Sequence, residues 1–255
     1  KPIIKLGNSA GVVLPKEWLH GKAKVVLVEK PINIKKDILE ILEQYLEDIV
    51  GVYLIGSYAR GEETERSDID ILAITNKINK KINEGKYNII LLSKNQLENA
   101  LKNNALPILP MLKEAVPLIN DDLINIYKNI KLTKKNLKWN IGIIKSALEI
   151  NRAAIKMNKE FDSQCGDSTS YSLVLHLRSL YIIDSLKNRE KWNNKEFLNL
   201  IRNISGSLKA YEGYLRAKDG KQIREILPIV EAEKLCDYIL KKINEQEKWL
   251  KARKE

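Results

Sequence analysis

Two short apolar runs joined through a glycine turn constrain the fold of this chain more than any other feature. The first run covers residues 50–55 and stops at Gly56, and the second covers residues 69–74. Apolar runs of this length between turn residues are typical of strands buried on both faces of a sheet. Side chains two residues apart on a strand point to the same side, so Asp68 and Asp70 are expected to stand together where the second strand starts.

The polar residues between these strands predict a site for phosphate and a metal ion. Two carboxylates held close together repel each other unless a positive charge lies between them, and a divalent cation is the usual solution. Gly56 permits close backbone approach, Ser57 can donate a hydrogen bond, and a helix beginning there would direct N–H groups at an anion. The alternative is a βαβ unit in which Asp68 and Asp70 merely end a loop, but their register with both apolar runs favours the site.

The spacing of these residues resembles that of the polymerase-β-type nucleotidyltransferase superfamily, particularly its minimal members. Ten residues separate Gly56-Ser57 from Asp68, and one residue separates Asp68 from Asp70. The resemblance implies that Gly56 and Ser57 contact the phosphates of a nucleoside triphosphate (NTP) such as ATP. It also implies that Asp68 and Asp70 are catalytic and hold Mg²⁺.

The next predicted strand, residues 88–92, lacks an acid that the resemblance leads us to expect. In that superfamily this strand supplies a third carboxylate, which acts as a base and helps to bind a second metal ion. Asn88 stands at the matching position, and an amide cannot take a proton and is a weaker Mg²⁺ ligand. Three explanations stay open: another acid (Glu84, Glu98 or Glu149) fills the place, two carboxylates suffice for slow turnover, or the domain binds nucleotide without catalysis.

Residues 1–31 form a separate unit. The pattern predicts a strand at residues 3–6, a glycine turn, a strand at residues 12–14, and a third strand from Ala23 to Glu29. About thirty residues cannot bury a core alone, so this unit is expected to pair with a second copy of itself.

The stretch Leu6–Lys16 resembles the SpoVT/AbrB and MazE-type swapped-hairpin domain, in which two chains interleave into a dimeric barrel that binds DNA. The resemblance implies a homodimer. It places four polar residues near DNA phosphates or the dimer seam: Lys5, Asn8, Ser9 and Lys16. The alternative is a hairpin that only dimerises.

Residues 32–130 are interpreted as the nucleotidyltransferase domain. Pro31 breaks the chain before it, and apolar residues at helical spacing predict a helix over residues 34–49. Residues 76–86 are polar and predict a connection without regular structure. Later elements are a strand near residues 116–119 and a helix that starts at Asp121.

Residues 131–255 carry four apolar stripes at helical spacing, which predict a helical bundle. The stripes cover residues 137–155, 173–185, 197–208 and 235–243. The pattern resembles the helical substrate domain of kanamycin-type nucleotidyltransferases and also HEPN bundles. His176 lacks the preceding Arg of the HEPN ribonuclease motif, so no catalytic role is assigned to it. Three basic residues are candidates for docking an anionic substrate: Arg178, Lys187 and Arg189. The predicted fold class is thus α+β, with a swapped β-hairpin, a mixed-sheet domain and a helical bundle.

The formal net charge of +11 is unevenly distributed. Residues 1–31 contain six Lys and two Glu, residues 32–130 contain twelve basic and fifteen acidic residues, and residues 131–255 contain 26 basic and sixteen acidic residues. Basic ends favour a polyanionic partner such as DNA, tRNA or the NTP itself, although a solvated Lys-rich helix surface is the alternative. No apolar run is long enough to cross a membrane. The two cysteines, Cys165 and Cys236, are far apart in helical segments, which favours buried free thiols and a cytoplasmic location.

These observations predict a Mg²⁺-dependent nucleotidyltransferase that moves a nucleoside monophosphate from an NTP to an acceptor hydroxyl. Arg60 or Arg66 would neutralise charge on the leaving group. The alternative is a nucleotide-binding DNA regulator or antitoxin with a degenerate nucleotidyltransferase domain. A toxin-type enzyme that modifies tRNA or protein would keep the chemistry and change the acceptor.

Overall fold

A computed structural model of the chain describes residues 1–26, 32–65, 67–188, 192–221 and 224–252. The chain divides into two compact units, Lys1–Ile41 and Leu42–Glu255. Arg66, Arg189 and residues 27–31, which include part of the predicted third strand and the Pro31 break, lie outside the described residues.

The first unit begins with a small antiparallel hairpin made of β1 (Ile4–Leu6) and β2 (Ser9–Gly11). Gly7 turns the chain with a φ of 59°, and the Ser9 hydroxyl donates to the Leu6 carbonyl at 3.0 Å. The second strand therefore lies three residues earlier than predicted, because the turn closes at Gly7 and Asn8. A single 3₁₀ turn follows at Lys16–Trp18, and residues 23–26 form no strand.

Large apolar side chains of this unit stay exposed in the single chain. Among the large apolar residues of this unit that the structure describes, ten have 40% or more of their surface exposed: Ile3, Ile4, Leu6, Val13, Trp18, Leu19, Val25, Val26, Ile32 and Leu39.

Helix α1 (Ile34–Leu42) is shorter than the predicted 34–49 helix. Asn33 caps its start by accepting the Lys36 N–H at 3.2 Å. A 3₁₀ turn follows at Glu43–Tyr45, and Asp48 then accepts the backbone N–H groups of Lys77 and Ile78 at 3.1 and 2.9 Å. The segment after Leu42 therefore forms a 3₁₀ turn and then bonds through Asp48 to residues 77 and 78, and the predicted helix was too long.

A five-stranded mixed sheet forms the first part of the second unit, with the strand order β5-β6-β4-β3-β7. Strands β4 and β6 are parallel, and the other neighbouring pairs are antiparallel. In chain order the elements are β3 (Ile49–Ile55), α2 (Gly56–Arg60), β4 (Ile69–Thr75), β5 (Lys80–Glu84), β6 (Tyr87–Ser93), α3 (Lys94–Asn103), α4 (Leu109–Glu114), β7 (Val116–Ile119) and α5 (Asp121–Lys128). Helices α3, α4 and α5 cover one face of the sheet through a core that includes Tyr53, Leu72, Leu97 and Ile124.

Strand β5 lies within residues 76–86, which were predicted to be a connection, so that prediction was wrong. Its side chains are mostly exposed and include Lys80 and Lys81. Charged residues are common on edge strands because they discourage pairing with another chain, and such strands carry no apolar alternation that a sequence pattern can detect.

From Lys134 onward, the described part of the second unit consists of helices and one short two-stranded ladder. Its elements are α6 (Lys134–Glu160), β8 (Cys165–Gly166), α7 (Asp167–Asn188), α8 (Asn194–Ser205), α9 (Lys209–Lys218), β9 (Glu225–Leu227) and α10 (Ile229–Ala252). Each of the four predicted stripes lies largely in a helix, whereas α9 and the β8–β9 pair were missed. At Gly213 of α9, an added Cβ would come within 2.7 Å of Asp167 Oδ1 and Ser170, so glycine is what lets α9 pack closely on α7.

The predicted α+β class, with a mixed sheet followed by a helical region, is confirmed. Exchange of the hairpin between chains stays a prediction. Cys165 and Cys236 are buried free thiols, as expected. Within the described ranges, every helix is too short or too polar to cross a bilayer.

Candidate active site

The turn between β3 and α2 brings Gly56 against the Asp70 carboxylate. Gly56 has a φ of 71°, and a Cβ added there would lie 2.5 Å from Asp70 Oδ2. A side chain at this position would therefore be strained by its backbone and would collide with the carboxylate. Because β3 and β4 pair antiparallel with Ile55 opposite Asp70, the sheet itself holds the turn and the acid together.

The Gly56 N–H is not free, contrary to the expectation that it would face an anion. It donates to Glu114 Oε1 at 2.8 Å, from the last residue of α4. Ser57 follows in the first turn of α2, and its carbonyl accepts the Glu62 N–H at 2.9 Å. A carboxylate of the protein therefore already lies at the backbone donor where a phosphate oxygen was expected.

Asp68 and Asp70 lie at the start of β4, as predicted. Asp68 is exposed just before the strand, and Asp70 is half-buried as its second residue. The pKa of Asp70 is raised, mainly by burial and further by the charge of Asp68. Asn88, Lys218 and Arg60 act in the opposite direction and limit that rise in the pKa. The charge of Asp68 therefore acts on the half-buried carboxylate of Asp70.

Asn88 lies beside Asp70, at the position predicted for the third ligand. Strand β6 runs parallel to β4 with Asn88 opposite Asp70, and Asn88 Nδ2 donates to Asp70 Oδ1 at 3.4 Å. Three acids were considered as substitutes, and all of them are exposed: Glu84, Glu98 and Glu149. Across the part of the chain that the structure describes, no three His, Cys, Asp or Glu side chains are grouped closely enough to hold a metal ion. An amide thus stands beside two carboxylates.

Arg60, at the end of α2, is held by two acids and one ring. Its Nε donates to Glu62 Oε2 at 2.8 Å and its Nη1 donates to Glu114 Oε2 at 2.6 Å. The guanidinium also lies 4.6 Å from the centre of the Trp192 ring. Since Glu114 bonds both Arg60 and the Gly56 N–H, one carboxylate connects the end of α2 to its first residue.

The helical region contributes a cation that the sequence analysis missed. Lys218, the last residue of α9, is close enough to lower the pKa of Asp70 by its charge. Its only sequence signal is a Lys before the Asp219-Gly220 turn, and α9 itself was not predicted. The charge of a lysine from the helical region therefore acts on Asp70.

Arg178, one of the basic residues suggested for anion docking, lies in an aromatic cluster. Its guanidinium is 4.7 Å from the Trp192 ring centre, on which Arg60 also lies, and its Nη1 donates to the Tyr214 hydroxyl at 3.4 Å. Tyr171 and Tyr211 stack on Tyr214 at 5.4 and 5.8 Å between ring centres. This cluster connects α7 and α9 to the end of α2.

The remaining predicted residues lie elsewhere. Lys187 pairs with Asp184 at 3.8 Å. Burial lowers the pKa of His176, and no catalytic role is assigned to this residue. The four residues proposed to lie near DNA are all exposed on the first unit: Lys5, Asn8, Ser9 and Lys16.

The carboxylate pair suits a magnesium ion. Mg²⁺ prefers oxygen ligands, keeps several waters, and is commonly held by one or two carboxylates together with substrate phosphates. Asp68 and Asp70 supply such oxygens, and the glycine at position 56 leaves room against Asp70 Oδ2 that any other residue would fill. The residues present therefore fit Mg²⁺ bound jointly with a phosphate-bearing substrate.

Comparison with known proteins places the chain in a family. Among curated proteins there is no significant match. Among the solved structures that resemble the chain is a nucleotidyltransferase-like protein from Exiguobacterium sibiricum 255-15, at 11% identity and a TM-score of 0.40 over 84% of this chain and 76% of that one. Another is the spectinomycin adenyltransferase AAD(9) from Enterococcus faecialis, solved with ATP and spectinomycin, at 11% identity and a TM-score of 0.43 over 82% of this chain and 97% of that one. The family model of the nucleotidyltransferase domain matches residues 35–165, just over half of the chain. The chain therefore belongs to the nucleotidyltransferase domain family.

Proposed function

We propose that this protein is a Mg²⁺-dependent enzyme that transfers a nucleoside monophosphate from an NTP, with ATP as the first nucleotide to test, to an acceptor hydroxyl. The observation that carries the proposal is the contact between Gly56 and Asp70. Gly56 has a left-handed backbone and no side chain, so the Asp70 carboxylate can lie directly against the turn. The close approach sets a charged carboxylate against a backbone turn. It is suited to a phosphate chain that must contact both.

The reaction balances without a redox partner. The acceptor oxygen forms a bond to the α-phosphorus, the bond from that phosphorus to the β-phosphate oxygen breaks, and pyrophosphate leaves with the electron pair. The proton of the acceptor hydroxyl passes to solvent, because the amide of Asn88 cannot accept it.

The residues of this chain would divide the work as follows. Ser57 donates to a phosphate oxygen, and Arg60 and Lys218 offset the charge that grows on the departing pyrophosphate. Asp68 and Asp70 hold Mg²⁺, which when bound neutralises phosphate charge and polarises the α-phosphate. The Gly56 N–H becomes available to the triphosphate when Glu114 gives up its bond to it.

Transfer from ATP labelled at the α-phosphate with radioactive phosphorus tests this function. The full chain is incubated with Mg²⁺ and candidate acceptors, alongside Asp68→Asn, Asp70→Asn and, as a control, Glu160→Gln at the exposed end of α6. We expect labelled acceptor from the native chain and the control, and its loss in both aspartate variants. Label transfer that persists in the aspartate variants would contradict the catalytic role proposed for Asp68 and Asp70.

We also propose that the N-terminal hairpin joins two copies of the chain. The support is the set of large apolar side chains that the first unit leaves exposed, which a partner surface would cover. Sedimentation of the full chain should give a dimer, and Leu6→Asp with Val13→Asp should give a monomer. An unchanged mass in the double variant would contradict this interface.

A second candidate function is DNA-binding regulation that senses nucleotide without turnover. Asn88 at the third-ligand position favours it, as do the exposed polar side chains around the Gly7 turn. DNA retardation at several salt concentrations is the test, since its salt slope counts phosphate contacts. DNA binding that depends on Lys5 and Lys16, with no transfer from ATP, would favour the regulator.

A further inference from the structure

A large cavity lies beside Arg60, at the end of α2. Its volume is about 1060 Å³, and it is bounded by the ends of α2, α4, β7 and α5 and by parts of α7, α8 and α10. Asp68, Asp70 and Gly56 do not line it. A cavity of this size exceeds what a metal ion or a single phosphate needs and matches a ligand of nucleotide size or more.

Carboxylates of the cavity wall are already bonded to the protein. Glu62 accepts from Arg60 at 2.8 Å and from the Asn194 N–H at 3.0 Å. Glu114 accepts from Arg60 and Gly56, and Glu196 accepts from the Tyr181 hydroxyl at 3.0 Å. These carboxylates are therefore already paired with donors of the protein and are poorly placed to attract a cation.

The basic residues of the wall are engaged differently. The cationic side chains that line the cavity are those of Arg60, Lys113, Lys128, Lys131 and Lys187. Arg60 and Lys187 have acidic partners, and Lys113 donates to the carbonyl of Lys128. In the described residues, no carboxylate lies within ion-pair distance of Lys128 or Lys131. This side of the cavity therefore presents positive charge to whatever enters.

Between these lysines the wall is apolar and aromatic. Leu109, Pro117 and Ile130 line it, together with the rings of Trp192 and Trp249. Trp192 is held between Arg60 and Arg178, and the Lys187 ammonium lies 4.4 Å from the centre of the Trp249 ring. A ligand that fits carries anionic groups for the lysines and a flat or apolar body for the walls.

We infer that this cavity binds a nucleotide unit, either free or at the end of a nucleic-acid strand, and presents it as the acceptor. A nucleotide combines a phosphate that the lysines can bind, a base that can pack on the apolar wall, and a ribose hydroxyl that can accept the transferred group. Glu114 lines the cavity and accepts from both Arg60 and the Gly56 N–H, so a ligand here lies next to the proposed triphosphate site. The opposite class, a polycationic acceptor, would meet Lys128 and Lys131 with like charge.

The assignment of the ligand as acceptor rests on the proposed function, but its binding is tested without Mg²⁺ or turnover. Tryptophan fluorescence of the full chain follows binding of adenosine monophosphate, because two of its four tryptophans line the cavity. Anisotropy follows a short fluorescein-labelled single-stranded RNA. Both probes are repeated with Asp70→Asn, which leaves the cavity intact.

The informative variant is Lys128→Glu with Lys131→Glu, and Lys138→Glu with Lys234→Glu is the control. Both pairs change the net charge equally, but the control residues are exposed and off the cavity. We expect the cavity pair to weaken binding by about ten-fold or more, the control to change it less than about two-fold, and Asp70→Asn to leave it unchanged. If the charge reversal impairs folding, Lys128→Gln with Lys131→Gln is measured in its place, and about a three-fold loss is expected.

The two probes identify the source of the ligand. Binding of adenosine monophosphate supports a free nucleotide, and binding of RNA alone supports a strand end. The inference would be overturned by any of three results: both lysine pairs weaken binding of the probes equally, neither probe binds, or a polycationic aminoglycoside binds more tightly than the probes. The two tests are independent. Absence of binding to the cavity would not change the result of the aspartate-dependent transfer assay, and absence of transfer would not change the measured binding.

Discussion

Replacing Gly56 with alanine tests the contact between the turn and Asp70. A non-glycine residue with a left-handed backbone costs roughly 1–2 kcal/mol. The new Cβ would also lie 2.5 Å from Asp70 Oδ2, so the carboxylate or the turn must move. Overpacking of this kind typically costs a further 1–3 kcal/mol.

Gly61, at the other end of α2, provides a matched control. Its φ of 69° is close to the 71° of Gly56, but nothing lies within 4 Å of an added Cβ. Gly61→Ala should therefore carry only the backbone cost. The difference in unfolding free energy between the two variants isolates the collision with Asp70.

Urea unfolding followed by circular dichroism gives that difference, and calorimetry with ATP and Mg²⁺ gives the functional consequence. We expect Gly56→Ala to be less stable than Gly61→Ala by about 1–3 kcal/mol. It should also lose ATP affinity in the presence of Mg²⁺, while Gly61→Ala keeps it. Equal stability of the two variants, or native ATP affinity in Gly56→Ala, would refute the role assigned to this contact.

Three further substitutions give independent tests. Asn88→Asp restores a third carboxylate, so transfer should rise by about ten- to a hundred-fold and Mg²⁺ should raise the Tm more than in the native chain; an unchanged rate would remove the third-ligand role. Lys218→Ala should raise the KM for ATP by about three- to ten-fold, as expected for one partly solvated charge, and an unchanged KM would exclude contact with the triphosphate. Asp167→Asn breaks a buried pair with Arg216 and should cost about 3 kcal/mol at pH 7. Because Arg216 holds the pKa of Asp167 below its usual value, the native advantage should be present above about pH 4 and shrink as the pH falls, and an advantage that stayed constant down to pH 3 would contradict this pairing.

The sheet that carries the site could be predicted because burial leaves a strong signal. Strands β3, β4 and β6 are apolar on both faces, and this pattern located the turn at Gly56 and both aspartates. The family resemblance assigned Asn88 to the third-ligand position, and Asn88 does lie opposite Asp70 in the sheet. Strand β5 escaped because an exposed, charged edge strand resembles a loop.

The partners of the site could not be predicted, since they come from distant parts of the chain. Glu114 reaches the Gly56 N–H across 58 positions, and Lys218 comes from a short helix whose packing depends on a single glycine. The cavity depends on α7 and α10 meeting the ends of α4 and α5. Local sequence patterns indicate which face of a helix or strand is buried, but they do not indicate which distant residues that face contacts.

A crystal structure of the full chain with a non-hydrolysable ATP analogue and Mg²⁺ tests the central claim most directly. The account predicts a metal ion bound by Asp68 and Asp70, phosphate oxygens at Ser57 and at the Gly56 N–H, and Glu114 moved off that N–H. Triphosphate bound elsewhere, or bound with no metal at the two aspartates, would contradict it.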